Sequence, residues 1–145
     1  MREAVIVSTA RTPRGKAYRG AFNDTSAQEL AGHAIEKAVE RAGIEAGEVG
    51  DVIMGAALQQ GSSGGNIARQ AAIRAGLPVT VPGMSIDRQC ASGMMAIATA
   101  AKQIINDGMD ITVGGGVESI SLVQNDKMNG YLSLIHISEP TRLES

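Results

Sequence analysis

The sequence predicts an α/β fold, with a mixed, mostly parallel sheet carrying helices on both faces. Three observations lead there. Short runs of β-branched and small apolar residues alternate with segments of helical period. Their order reads β-α-β-α-β-α-β, which crossover helices between parallel strands explain. The composition fits a close-packed aliphatic layer: of 145 residues, 43% are hydrophobic and 2% aromatic, and 18 are Gly. Glycine at nearly twice its usual share of roughly 7% points to close backbone approach and special turns.

Residues 3–9 (EAVIVST) form a β-branched run and are expected to be the first strand. A polar turn with Pro13, Gly15 and Gly20 follows. Ser26 and Glu29 stand at capping-box spacing and open a helix. Its apolar stripe is Leu30, Ala31, Ala34, Ile35, Ala38, Val39 and Ala42, and Gly43 is its natural stop. Residues 51–57 (DVIMGAA) read as a second strand and 59–66 (QQGSSGGN) as a loop. Residues 67–75 read as a short helix ended by Gly76 and Pro78, and 82–87 as a third strand. Residues 90–107 read as a helix interrupted only by Lys102 and Asp107; a helix apolar on nearly all sides is expected to lie between layers. Residues 111–116 (ITVGGG) close the pattern as a fourth strand.

Composition also excludes. A net charge of −2 argues against a nucleic-acid partner. One Cys permits no internal disulfide and no cysteine-based metal cluster. No apolar run reaches the ~18 residues of a membrane span, and the first residues do not read as a secretory signal. The expectation is a cytoplasmic protein without a metal. Residues 132–145 (LSLIHISEPTRLES) break the pattern. LSLIHISEPTR is similar to a translated sequencing adapter, and such a scar belongs outside fold reasoning. The tail holds His136, which leaves His33 as the other histidine.

Cys90 is the one residue with nucleophilic character in a suggestive place. It lies between a short apolar strand and a helix that continues Ala91-Ser92-Gly93. Helix N-termini favour a thiolate, and small neighbours leave room for a substrate. The alternative is a buried structural cysteine. A nucleophilic Cys needs a base and an oxyanion hole. His33 falls on the polar face of its helix and reads as solvated. The Gly61–Gly65 stretch matches neither a P-loop nor a dinucleotide fingerprint. Gly114, Gly115 and Gly116 read as a packing device, Met84, Met94 and Met95 as core filler, and Arg11-Thr12-Pro13 as a solvated turn.

Four segments together resemble the thiolases (acetyl-CoA acetyltransferases and 3-ketoacyl-CoA thiolases): ARTPRGKAYRGAF, GAALQQGSSGGNIARQAAIRAGLP, IDRQCASGMMAIATAAKQI and VGGGVESIS. They occur in order between Met1 and about Asn129. One departure is Asp87, where the family usually has Asn, Ser or Thr. The resemblance implies a thiolase-like α/β fold with an incomplete N-terminal half-domain. On this reading residues 1–120 are a partial N-terminal domain, 121–131 the start of a loop domain, and 132–145 a non-native tail. It implies that Cys90 is the acyl-accepting nucleophile and that its backbone N–H forms half of an oxyanion hole. Acyl-CoA and CoA are implied as substrates, with no cofactor and no metal, and a homodimeric or homotetrameric parent. The family's second half brings an Asn, a His and a second Cys in motifs that do not occur here. The fragment alone is therefore expected to be inactive. Three other readings stand beside it: a ketoacyl-synthase-like condensing enzyme, a non-catalytic nucleotide-binding α/β module, and a small structural protein with a native tail.

Overall fold

The computed structural model describes residues 1–126. Helix α1 spans Ala27–Ala42, strand β1 Asp51–Gly55, helix α2 Ile67–Arg74, strand β2 Gly83–Ile86, helix α3 Ser92–Ile105, strand β3 Thr112–Gly116, and a short helix α4 Ile120–Val123. Single 3₁₀ turns occupy Ala46–Glu48 and Gly61–Ser63. The three strands form one parallel sheet in the order β2-β1-β3.

Local chemistry accounts for the helix ends. Ser26 caps α1 by accepting the Glu29 N–H at 3.2 Å, and Gly43 ends it in the left-handed region at φ 68°. Asn66 caps α2 in the same way for the Arg69 N–H, and its Nδ2 donates to the Gly83 carbonyl at 3.0 Å. That second bond ties α2 to β2.

Packing follows from the strand period of two. Val52 and Met54 point to one face, where they meet Ala31, Ile35 and Val39 of α1 and Ala68, Ala71 and Ala72 of α2. Ile53 points to the other, against Ala96 and Ala100 of α3. Val52 and Ile53 are fully buried, and each such side chain contributes about 2 kcal/mol. The chain moves outward from β1 to β2, then back across β1 to β3. Right-handed crossovers in opposite directions put α2 and α3 on opposite faces. Helices on both faces of a parallel sheet are thus as expected.

Three expectations are corrected. No strand forms at residues 3–9. Val5, Ile6 and Val7 are 69%, 77% and 74% exposed, because no described strand offers that segment a ladder. Side chains anchor it instead. The Arg2 guanidinium donates to the Gly108 carbonyl and to Asp110, the Ser8 hydroxyl donates to the Ala38 carbonyl, and Arg41 donates to the Thr9 carbonyl. Second, α3 is not buried all round: it buries Ser92, Ala96, Ala100 and Gln103, while Met94 and Ile97 face outward. Third, Met84 and Met94 are exposed for the same geometric reason, since they lie away from the faces that pack; Met54 does the filling.

Glycine sets the distance between α3 and the sheet. A Cβ on Gly114 would lie 2.8 Å from the Ile97 Cα, and one on Gly116 3.0 Å from the Gly93 Cα. A Cβ on Gly55 would overlap the Ser92 carbonyl. Gly55→Ala is therefore predicted to lower stability by about 3 kcal/mol, the upper end of overpacking costs. Gly47→Ala, whose Cβ would stand 3.7 Å from the Pro78 side chain, should change it by less than about 0.5 kcal/mol. Urea denaturation of the two variants checks both.

Candidate functional site

In an open parallel sheet, ligands bind beyond the carboxyl ends of the strands. Here those ends converge on the turn between β2 and α3. The chain leaves β2 at Ile86 and runs through residues 87–91 before Ser92 opens α3. Gln89 sits in the left-handed region at φ 51°, which costs a residue with a side chain about 1–2 kcal/mol.

Side chains hold that turn. The Asp87 carboxylate accepts the Gln89 N–H at 2.8 Å. The Ser92 hydroxyl accepts the Arg88 N–H at 2.8 Å and donates to the Gln89 carbonyl at 2.6 Å. Backbone bonds from Ala91 N–H to the Arg88 carbonyl and from Ser92 N–H to the Gln89 carbonyl close it.

Cys90 rides on this turn as an exposed free thiol. It was expected to open the helix. It lies instead just before Ala91, the N-cap residue, because the turn closes on itself one step earlier. The N-cap carries no side-chain hydrogen bond, so the first turn of α3 is not capped by its own flanking side chain.

The neighbouring strand ends are tied to one another. The Val117 N–H donates to the Gly55 carbonyl at 3.0 Å, joining the exits of β1 and β3. Glu118 reinforces this: its carboxylate accepts the Ala57 N–H at 2.9 Å and the Leu58 N–H at 3.0 Å. Gln59 joins β1 to β2, donating to the Ala56 and Ile86 carbonyls, both at 2.8 Å. Between these ties lies a cavity of about 290 Å³. It is lined by Gly55, Ala56, Gln89, Cys90, Ser92, Gly93, Gly116, Val117 and Glu118. A larger cavity of about 500 Å³ opens on the far side of Gly116, Val117 and Glu118, against residues 10–17 and α1, and Cys90 does not line it.

His33 is exposed on α1 and lines neither cavity. His136 lies outside the described residues. The Gly61–Gly65 loop is tied by side chains: the Gly64 and Gly65 carbonyls accept from the Gln70 amide, and the Ser62 carbonyl accepts from Gln28. Gly114 and Gly116 act in packing, as expected. Residue types and spacing did not single out Ser92, Gln59 or Glu118, whose roles arise from contacts across the chain. Ser92 alone left a trace, as a small polar residue two positions after the thiol.

The family model for the N-terminal domain of thiolase matches residues 4–141. The chain belongs to the thiolase family. It is 42% identical over 123 residues to a 3-ketoacyl-CoA thiolase of Bacillus subtilis, covering 85% of this chain and 32% of that one. It is 47% identical over 121 residues to an acetyl-CoA acetyltransferase of Cupriavidus necator, covering 83% and 30%. The crystal structure of the Bacillus anthracis acetyl-CoA acetyltransferase superposes with a TM-score of 0.80 at 42% identity, over 85% of this chain and 31% of that one. The chain thus spans about a third of the length of the thiolases it matches.

The double acceptance by Glu118 carries a prediction. Glu118→Ala leaves two N–H groups without their carboxylate and should lower stability by about 1–2 kcal/mol. Glu118→Gln, which keeps one acceptor oxygen, should fall between. Urea denaturation measures the loss, and faster amide exchange at Ala57 and Leu58 locates it.

Proposed function

We propose that this thiolase segment carries the nucleophile of an enzyme that moves acyl groups between CoA thioesters and CoA, and that Cys90 is that nucleophile. The observation that supports it best is the placing of the thiol. Cys90 is exposed, stands on a held turn at the carboxyl edge of a parallel sheet, and faces a cavity floored by glycine backbone. Backbone floors let a thioester approach closely, which side chains would prevent.

The Cys90 thiolate attacks the thioester carbonyl carbon. A tetrahedral oxyanion forms, with the Cys90 N–H supplying one hydrogen bond to it. The bond between the carbonyl carbon and the CoA sulfur then breaks. CoA leaves and takes a proton, and the acyl group remains on Cys90. In the second half-reaction a base takes a proton from the thiol of CoA, or from the α-carbon of a second acetyl-CoA; that sulfur or carbon then bonds to the acyl carbon as the acyl–Cys90 bond breaks and the Cys90 thiolate leaves. CoA thioesters are substrates on this reading, and no metal or cofactor takes part.

The base for these steps belongs to the rest of the enzyme: His33 lines neither cavity, and Glu118, which shares the smaller one with Cys90, has both carboxylate oxygens engaged by the Ala57 and Leu58 N–H groups. By itself the 145-residue chain is then inactive. Residues 127–145, which include the adapter-like tail, lie outside the described residues. The Ser63 and Gly64 N–H groups, of the kind a phosphate loop aims at its ligand, donate within the turn to the Gln60 and Gly61 carbonyls, which speaks against the nucleotide-binding alternative. The exposed Met84 on the edge strand β2 fits a parent that pairs with a second copy through that edge. Among the described residues no helix is long and apolar enough to cross a membrane. A cytoplasmic location and CoA thioesters as substrates belong to the same proposal.

Thiolysis of acetoacetyl-CoA tests this. In an enzyme of full family length carrying this segment, Cys90→Ala should reduce turnover by at least about 10³-fold. The 145-residue chain should turn over no faster than its own Cys90→Ala variant. Full activity without Cys90 would overturn its role as nucleophile. Turnover by the short chain above its control would overturn the claim that the base lies elsewhere.

A further inference from the structure

We propose that Asp87 and Ser92 are positioning residues that hold Gln89 in its left-handed conformation, and that this held turn sets how the Cys90 thiol is presented. The inference rests on the reading of Cys90 as the nucleophile and adds to it the residues that aim it.

Gln89 is the residue immediately before the thiol, and it is one of three residues other than glycine with positive φ among those described. Left to itself, a residue with a Cβ returns to negative φ. Here both peptide groups that flank its φ and ψ are tied. The N–H on one side donates to Asp87 at 2.8 Å, and the carbonyl on the other accepts from the Ser92 hydroxyl at 2.6 Å. Ser92 is itself fixed: it is 3% exposed, and its carbonyl lies against the bare Cα of Gly55. The turn is thus fastened to the floor of the sheet through Ser92 and closed from outside by Asp87. Ser92 holds the Gln89 carbonyl twice, through its hydroxyl and its N–H, whereas the Gln89 N–H is held by Asp87; release of the Asp87 tie lets Gln89 relax, and Cys90, the next residue, turns with it. The bond from position 87 needs only an acceptor two residues before the N–H. Asn, Ser or Thr could supply it as Asp does, and Ala could not.

The test uses the 145-residue chain and two readouts: the alkylation rate of Cys90 by iodoacetamide across neutral and mildly alkaline pH, compared with the guanidinium-unfolded chain, and hydrogen exchange of the Gln89 amide. Asp87→Ala should move the alkylation rate about three- to tenfold toward the unfolded value and expose the Gln89 amide to exchange. Asp87→Asn should keep both near wild type. Adding Gln89→Gly to Asp87→Ala should restore the wild-type alkylation rate, because glycine takes positive φ without strain. If Asp87→Ala fails to fold, recovery of a cooperative melting transition in the double variant is the equivalent supporting result. An alkylation rate and amide protection unchanged by Asp87→Ala would overturn the proposal, as would no recovery with glycine at 89. If folded and unfolded wild type alkylate equally at every pH, the nucleophile reading loses its support. Gln89 amide exchange then decides the positioning claim separately: loss of protection in Asp87→Ala upholds the held turn, and unchanged protection overturns it.

Discussion

Gly55, Gly114 and Gly116 let α3 rest directly on the backbone of β1 and β3. Any side chain at these positions would separate helix from sheet by about the width of a methyl group or more. Because α3 follows directly from the turn that bears Cys90, this contact decides where the thiol stands. Gly55 and Gly116 also line the cavity beside Cys90, so packing and access to the thiol come from one arrangement. Glu118 and Gln59 then lock the three strand ends around it.

This arrangement leaves two surfaces uncovered among the described residues. The outer face of α3 presents Met94 and Ile97, and the segment at residues 3–9 presents Val5, Ile6 and Val7. Both are apolar; the first lies on the layer that carries Cys90, and the second is anchored to α1 through Ser8 and Thr9. The chain spans about a third of the length of the thiolases it matches, so a full-length relative has the material to cover them. The proposed catalytic base has the same origin. A nucleophile whose neighbouring carboxylate, Glu118, is engaged by backbone N–H groups and a helix without a covering layer have a common explanation.

Much of the fold was legible in the sequence because it depends on local signals. Ser26, Gly43 and Gly76 mark helix ends by their own conformational preferences, and the apolar stripe of α1 follows from periodicity. The parallel sheet followed from the alternation of elements. Residues 3–9 misled because a β-branched run states a propensity, whereas a strand also requires a partner. The methionines misled because composition reveals that a side chain can fill a core and not which way it faces. At the site, Cys90 was legible from its small neighbours and its place between strand and helix. Glu118, Gln59 and Ser92 were not, since their partners are 60, 27 and 4 residues away in sequence at the reach each uses. The left-handed Gln89 was hidden too, because nothing in a glutamine announces positive φ.

The most direct test is to find where the acyl group goes. An enzyme of full family length carrying this segment is mixed with acetyl-CoA, quenched in acid, digested and read by mass spectrometry. The account predicts an acetyl group on the peptide that contains Cys90, removed when CoA is added before the quench. Turnover with the acetyl group on another residue, or with Cys90 never acylated, would contradict it.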